Sequence, residues 1–312
     1  MVTPVRIAAS VQEQPDAPAA NVGADHAGMI DPVIPGATAR DMRSRSGDYR
    51  ILVWQPTPEL ATGPLPVLYL LDGNVTFPIA AAAVAAQSRR PEITGVQPAL
   101  VVGIGYPNAT WLDPDRRTFD YTLPLAEALL PPRPDDRPWP PTGGADQFLD
   151  FLQHEVQPWI EREFDVDPAR RALFGHSFGG LLVLHALFTR AALFNSYIAA
   201  SPSIWFGGDG LRTEMNRFMA APGDRGQRDL MITVGSLEQS GGSPDQSERS
   251  GHQAWLKRNR MVDNARELAA TLSVMAPSAL RVCFNQFDDE NHASVVPAAI
   301  SRTLRFALAG KR

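Results

Sequence analysis

The stretch RALFGHSFGGLLVLHALF, residues 171–188, constrains this chain more than any other. An apolar run that reads as a strand ends at Gly175, and a pattern that reads as a helix starts just after Ser177. A serine at such a junction sits on a tight, strained turn, where bulky neighbours two positions away would meet the adjoining strand or helix. Glycine at 175 and 179, with a third at 180, removes that collision. The turn would raise the Ser177 hydroxyl above a sheet and set it at the positive end of a helix. The plainer alternative is that the glycines only let a strand pass close to a helix. Strand before, helix after and the third glycine favour a nucleophile.

The surrounding pattern supplies the sheet such a turn needs. LPVLYLLDG and ALVVGIGY are continuous apolar runs rich in β-branched and aromatic residues, as expected of strands buried on both faces of a parallel sheet. RALFG, NSYIAAS, LMITVGS and LRVCFNQF repeat the theme, and GDYRILVWQP reads as an early antiparallel strand. Helical patterns alternate with these runs. ADQFLDFLQHEVQPWIEREF puts Phe148, Phe151, Leu152, Val156 and Ile160 on one side, with a kink expected at Pro158. VDNARELAATLSV and VVPAAISRTLRFALAG read as two more helices. The alternation implies an α/β fold with an open, mostly parallel sheet and helices on both faces.

Residues 1–35 are rich in Ala, Pro, Asp and Gly without periodicity and read as a loose N-terminal arm, leaving 36–312 as one domain. Within it, 107–144 is crowded with prolines and reads as an irregular insert. An insert of that length is usually functional or disordered. It follows the strand ALVVGIGY and so starts at the carboxyl ends of the strands, where ligands of open α/β sheets bind. An ordered lip over a pocket is the reading its aromatics and arginines favour.

A serine hydroxyl needs a base. Of the six histidines, His26 lies in the arm and His154 in an amphipathic helix. His176 should point away from the neighbouring serine, His185 falls on a buried stripe, and His252 follows a Gly- and Ser-rich loop. His292, in FDDENHASVV between the last strand and the last helix, is the candidate base. Glu238, just past the strand LMITVGS, is the candidate acid that would orient it, in the chain order Ser177, Glu238, His292. Asp245, Glu248, Asp263 and the run Asp288, Asp289, Glu290 compete for that role, and a Ser–His dyad is a further alternative. Oxyanion donors would be the amide of Phe178 and one from Gly73 or Asn74 in LLDGNVTF, where a strand turns into a helix.

Five motifs in order, LYLLDGN, GHSFGG, AASPSIWF, VGSLEQ and ENHASVV, resemble the Putative esterase family of α/β-hydrolases. Within it the nearest likeness is to trilactone siderophore esterases of the enterobactin type. The resemblance covers roughly residues 43–309. It implies an α/β-hydrolase fold, Ser177 as nucleophile, His292 as base, and the amides of Asn74 and Phe178 as oxyanion donors. It further implies cleavage of the trilactone of a catecholate siderophore or its iron complex. The family's arginine ahead of a D-Y-T-P motif is matched here by RTFDYTLP, so Arg117 and Tyr121 align while Leu123 interrupts before Pro124. Arg117 and Tyr121 are thereby substrate-binding candidates, with Arg116 or Arg117 on a solvated loop as the alternative. Trp205 in SPSIWF is a candidate aromatic wall, with core packing as its alternative. The same machinery could instead serve feruloyl, acetyl or thioester substrates, and a non-catalytic binding protein on the same fold is the reading from another class.

Composition excludes little beyond this. With 312 residues, 44% hydrophobic, and a net charge of −5, the chain is ordinary for a globular protein and carries no basic block suited to nucleic acid. No apolar run reaches the roughly 18 residues of a membrane span, and no secretory signal is legible, so a cytoplasmic protein is the expectation, or a periplasmic one if a signal was removed. The single cysteine, Cys283, leaves no internal disulfide or zinc spacing, and is expected to be a core thiol. No cofactor is called for, because ester cleavage of this kind needs only proton transfer and charge stabilisation. A small ester substrate is the expected partner.

Overall fold

The computed structural model describes residues 34–107, 111–133, 137–220, 226–240 and 250–310, so most of the arm expected over residues 1–35 lies outside the described residues. The strands are β1 (Ala37–Ser44), β2 (Gly47–Trp54), β3 (Leu65–Leu70), β4 (Leu100–Gly105), β5 (Val166–His176), β6 (Ser196–Ala200), β7 (Arg228–Gly235) and β8 (Leu280–Phe287). The helices are α1 (Gly73–Gln87), the short α2 (Pro91–Thr94), α3 (Pro114–Tyr121), α4 (Ala145–Phe151), α5 (Gln157–Glu163), α6 (Phe178–Thr189), α7 (Ile204–Ala220), α8 (Ser250–Asn259), α9 (Met261–Met275) and α10 (Val295–Ala307). The eight strands form one sheet in the order β1-β2-β4-β3-β5-β6-β7-β8. β1, β2 and β4 are antiparallel neighbours, and every pairing from β4 through β3 to β8 is parallel.

The continuous apolar runs follow from a sheet covered on both faces. Along β3, Val67 and Tyr69 face one apolar core while Leu68 and Leu70 face the other. Successive strand side chains point to opposite faces, so a strand buried on both must be apolar at every position. Leu68 and Leu70 are fully buried, each contributing ~1.5–3 kcal/mol of transfer free energy. The larger core takes in α4 to α6 with parts of α7 and α9, and the smaller one lies under α1 and α10.

In its secondary structure and burial the fold departs from the sequence-based expectations in four places. β1 is an additional, mostly exposed edge strand whose text, ATARDMRS, carries too little apolar alternation to read as one. The insert is less irregular than expected, because it contains α3. Asp113 caps that helix by accepting from the Arg116 amide at 3.1 Å, and Pro114 occupies its first turn. Near Pro158 the helix widens rather than kinks: residues Leu152–Val156 form a π-turn between α4 and α5. Proline cannot donate to the preceding turn and crowds its carbonyl, and the wider turn relieves both. Cys283 is half-buried instead of in the core, because β8 is an edge strand. Among the described residues, no helix is long and apolar enough to cross a membrane.

Candidate active site

The carboxyl ends of β3, β5, β6, β7 and β8 each deliver one part of the site. At the end of β5, Ser177 has φ 63° and ψ −117°, a backbone geometry rarely adopted by a side-chain-bearing residue. Three backbone bonds hold it there. Its amide donates to Ala200 O (3.0 Å), and its carbonyl accepts from the amides of Leu181 (3.0 Å) and Ser203 (3.1 Å). A Cβ at Gly175 would lie 2.3 Å from Gly179 O, and one at Gly180 would lie 2.8 Å from Ala200 O. At Gly179 it would make ordinary contact at 3.5 Å with Leu71. The steric demand therefore falls on Gly175 and Gly180, not on Gly175 and Gly179 as the motif suggests.

The distant base and acid are joined. Glu238, at the turn after β7, has no side-chain exposure and accepts from His292 Nδ1 at 2.6 Å. Its other oxygen accepts from Ser201 Oγ and from the Gly235 amide, each at 2.6 Å. With Nδ1 committed to the carboxylate, Nε2 is the ring nitrogen left to accept a proton. The loop carrying His292 is fastened to the acid's own turn. The Leu237 amide donates to Glu290 O (3.0 Å), and the Asp289 amide donates to Ser236 Oγ (3.0 Å). The His292 ring lies against that of His176, tilted by 40°, with ring centroids 4.5 Å apart. That contact brings the imidazole from β8 to the residue immediately before Ser177. The Ser177 hydroxyl itself lies 3.4 Å from Ser203 Oγ.

Of the competing carboxylates, Asp263 is bonded instead to Gln239, whose amide nitrogen lies 2.6 Å from it. Asp245 and Glu248 lie outside the described residues, as does the His252 side chain. His185 is buried, with Nδ1 2.9 Å from Glu214 and Nε2 3.4 Å from Asp146 but without a hydrogen-bond partner among the described residues.

At the end of β3, Asp72 adopts a left-handed conformation and starts α1. The Gly73 and Asn74 amides are the first two of that helix, ahead of its own hydrogen-bond ladder. Gly73 is buried against the backbone of Gly103 and Ile104, whereas Asn74 is partly exposed. The Asn74 side chain bridges to β4, donating to Tyr106 O (3.1 Å) and accepting from the Tyr106 amide (2.8 Å). These contacts fix the turn that carries both candidate donors. Phe178 supplies the first amide of α6.

Arg117 and Tyr121, the substrate-binding candidates, make their described contacts within the protein. Arg117 is only 13% exposed in its side chain and forms a bidentate pair with Asp72, at 2.9 and 3.0 Å. It also donates to His176 O at 3.3 Å, and its guanidinium lies over the rings of Tyr121 and Phe178. The Tyr121 hydroxyl is buried and accepts from the Asp72 amide at 3.1 Å. The cation is thus spent inside the protein, tying α3 to the α1 turn and to the residue before the nucleophile. Arg116 is similarly engaged, lying over Tyr49 and Tyr106 and 3.6 Å from Asp120. Sequence reasoning missed Asp72, Ser201 and Ser203, because each is defined by a partner far away in the chain. The His176 imidazole faces His292. Burial, together with His292 and Arg117 nearby, holds that ring well below the ordinary histidine pKa, so it stays neutral.

Asp120, on α3 of the insert, is fully buried and accepts from the Tyr49 and Tyr106 hydroxyls at 3.0 Å each. Burial pushes its carboxyl up to about 6, against the pull of Arg116 and the two tyrosines. A folded-state pKa above the unfolded one stabilises the protein in acid, and that contribution is lost as pH rises through the folded value. Between pH 8 and pH 5 the wild type should therefore gain ~1.4 kcal/mol from this group. Asp120→Asn should lack that increment in urea unfolding at the two pH values. A stability difference between the two proteins that does not change with pH would contradict this.

Comparison with known proteins places this geometry in context. Residues 44–273 match the model of the family described as Putative esterase. The chain is 40% identical to the ferri-bacillibactin esterase BesA of Bacillus subtilis, over 88% of this chain and 90% of that protein. It is 35% identical to a siderophore enterobactin esterase of Emericella nidulans, over 89% of this chain and 96% of the relative. Among solved structures, the BES protein of Bacillus cereus superimposes with a TM-score of 0.77 at 34% identity, covering 90% of this chain and 99% of that one.

Proposed function

The chain belongs to the Putative esterase family of α/β-hydrolases, and from that premise we propose that it cleaves the ester bonds of a siderophore through a seryl acyl-enzyme. The observation that carries the mechanism is the pairing of the half-exposed His292 with the buried Glu238, delivered beside the strained Ser177 turn from two other strands. His292 Nε2 takes the Ser177 proton as Oγ attacks the ester carbonyl carbon. The carbonyl electron pair moves onto oxygen, held by the amides of Phe178 and Asn74, with Gly73 as the alternative donor on that turn. The tetrahedral adduct collapses, the alkoxide leaves with the proton from His292, and the acyl group stays on Ser177. Water then gives its proton to His292, attacks the acyl carbon and releases the acid, returning the proton to Ser177. Glu238 stabilises the charged imidazolium in both halves.

The siderophore substrate is supported by the relatives, which are named for bacillibactin and enterobactin. A substrate that already carries iron fits the same reading, since the metal would arrive with the ester. The test compares a catecholate trilactone, with and without Fe(III), against methyl ferulate. Expected is a kcat/KM for the trilactone on the order of 100-fold higher, equivalent to about 2.7 kcal/mol of transition-state discrimination. A preference for the ferulate would overturn the substrate class and leave the hydrolytic mechanism standing.

A further inference from the structure

With Arg117 and Tyr121 committed to the protein's own frame, recognition of the acyl group falls to other side chains. Outward from the nucleophile the aromatic rings run without a break. Phe178 lies 4.8 Å from Phe206, 6.0 Å from Trp139 and 6.5 Å from Trp205, ring centre to ring centre. Trp139 meets Phe206 at 4.9 Å, and Trp205 meets Trp255 at 5.6 Å, nearly edge to face. Phe178 and Phe206 are buried. The three tryptophans are only half-buried, and they come from three separate elements: the lip, the start of α7, and α8.

A second observation independently ties this surface to the reaction. Trp205 stands two residues after Ser203, whose hydroxyl lies 3.4 Å from Ser177 Oγ. Charge is placed there too. The Arg133 guanidinium lies 5.0 Å over Trp139, and Arg258 on α8 donates to Pro132 O at 3.0 Å, joining α8 to the lip. Half-buried indoles in contact offer large, rigid, apolar faces with a polar edge, and guanidinium groups beside them favour an anionic, flat ligand. We propose that Trp139, Trp205 and Trp255, with Arg133, form an aryl subsite that holds a hydroxylated, anionic aromatic ring of the acyl portion of the ester. The proposal rests on the reading of Ser177 as the acylated residue, and it assigns specificity to residues that make no contribution to bond breaking.

Two esters with the same scissile bond isolate the subsite: N-(2,3-dihydroxybenzoyl)-L-serine ethyl ester and N-acetyl-L-serine ethyl ester. In Trp205→Leu, the ratio of kcat/KM for the aryl ester to that for the acetyl ester should fall at least tenfold, mainly through KM. Trp205→Phe, which keeps a ring, should restore most of the ratio. Equal losses on both esters, or a ratio within twofold of wild type in Trp205→Leu, would overturn the proposal. Quenching of tryptophan fluorescence by 2,3-dihydroxybenzoate reads the subsite without turnover. It should saturate in wild type and in Ser177→Ala alike, and be lost in Trp139→Leu/Trp205→Leu. Unchanged quenching in the double variant would count against the subsite, whereas retained hydrolysis in Ser177→Ala would count against the nucleophile alone.

Discussion

Ser177→Ala should lower kcat for a p-nitrophenyl ester on the order of 10⁴- to 10⁶-fold, with the protein folded and its stability close to that of wild type. The loss is large because the hydroxyl supplies the bond that splits one difficult displacement into two easier ones. Stability should change little or rise, because the variant removes only one oxygen, whose hydrogen bond to Ser203 is a long 3.4 Å. His292→Ala should cost about as much as Ser177→Ala, and the double variant little more, since a nucleophile and its base act as one unit. Glu238→Gln should cost less, because the imidazole keeps its place while losing the charge that stabilises its protonated form. An organophosphate fluoride should phosphorylate wild type once, at Ser177, and leave Ser177→Ala unlabelled. Near-normal turnover in Ser177→Ala would remove the acyl-enzyme from consideration, and additive losses in the double variant would separate His292 from the serine.

Arg117→Ala should destabilise the protein by about 3–5 kcal/mol, the usual result of stranding one member of a buried ion pair. Both partners are well buried, with side-chain exposures of 13% for Arg117 and 6% for Asp72, so solvent screening is weak. The effect on catalysis should be separable. Asp72 begins the turn that presents the Asn74 amide, and the same arginine holds His176 O next to the nucleophile. Without it, both sides of the oxyanion site loosen, and displacements near 1 Å can cost roughly 100-fold in rate. Arg117→Lys restores the charge but not the two-pronged geometry, so it should recover more stability than kcat. Asp72→Asn combined with Arg117→Met should be more stable than Arg117→Ala, because no unpaired charge remains. A stability loss under 1 kcal/mol and normal kcat in Arg117→Ala would show that the clamp is incidental. A rise in KM with kcat unchanged would return Arg117 to the substrate-contact role that its motif suggests.

The buried ion pair also explains why the lip contains a helix at all. Arg117 and Tyr121 lie one turn apart on α3, and both reach the Asp72 turn, one by its guanidinium and one by its hydroxyl. The DYT text therefore anchors the insert to the turn that starts α1.

Legibility in the sequence followed the range of the forces involved. The strands of the parallel sheet were readable because burial on both faces demands unbroken apolar runs. The elbow was readable because a strained turn between strand and helix admits little besides glycine around Ser177. β1 and α3 were not, since an exposed edge strand and a helix held by a cap and tertiary ion pairs need no apolar period.

The sequence by itself determined the sheet, the nucleophile's turn and the order in which Ser177, Glu238 and His292 occur. Only the tertiary structure decided that Glu238 meets His292 while Asp263 turns to Gln239, and that Arg117 faces Asp72 instead of solvent. The physical reason is that periodicity and turn chemistry act between neighbours in the chain. The partner of a buried charge is chosen by which strand ends the sheet order brings together, as when β7 and β8 lie side by side and set the acid against the base.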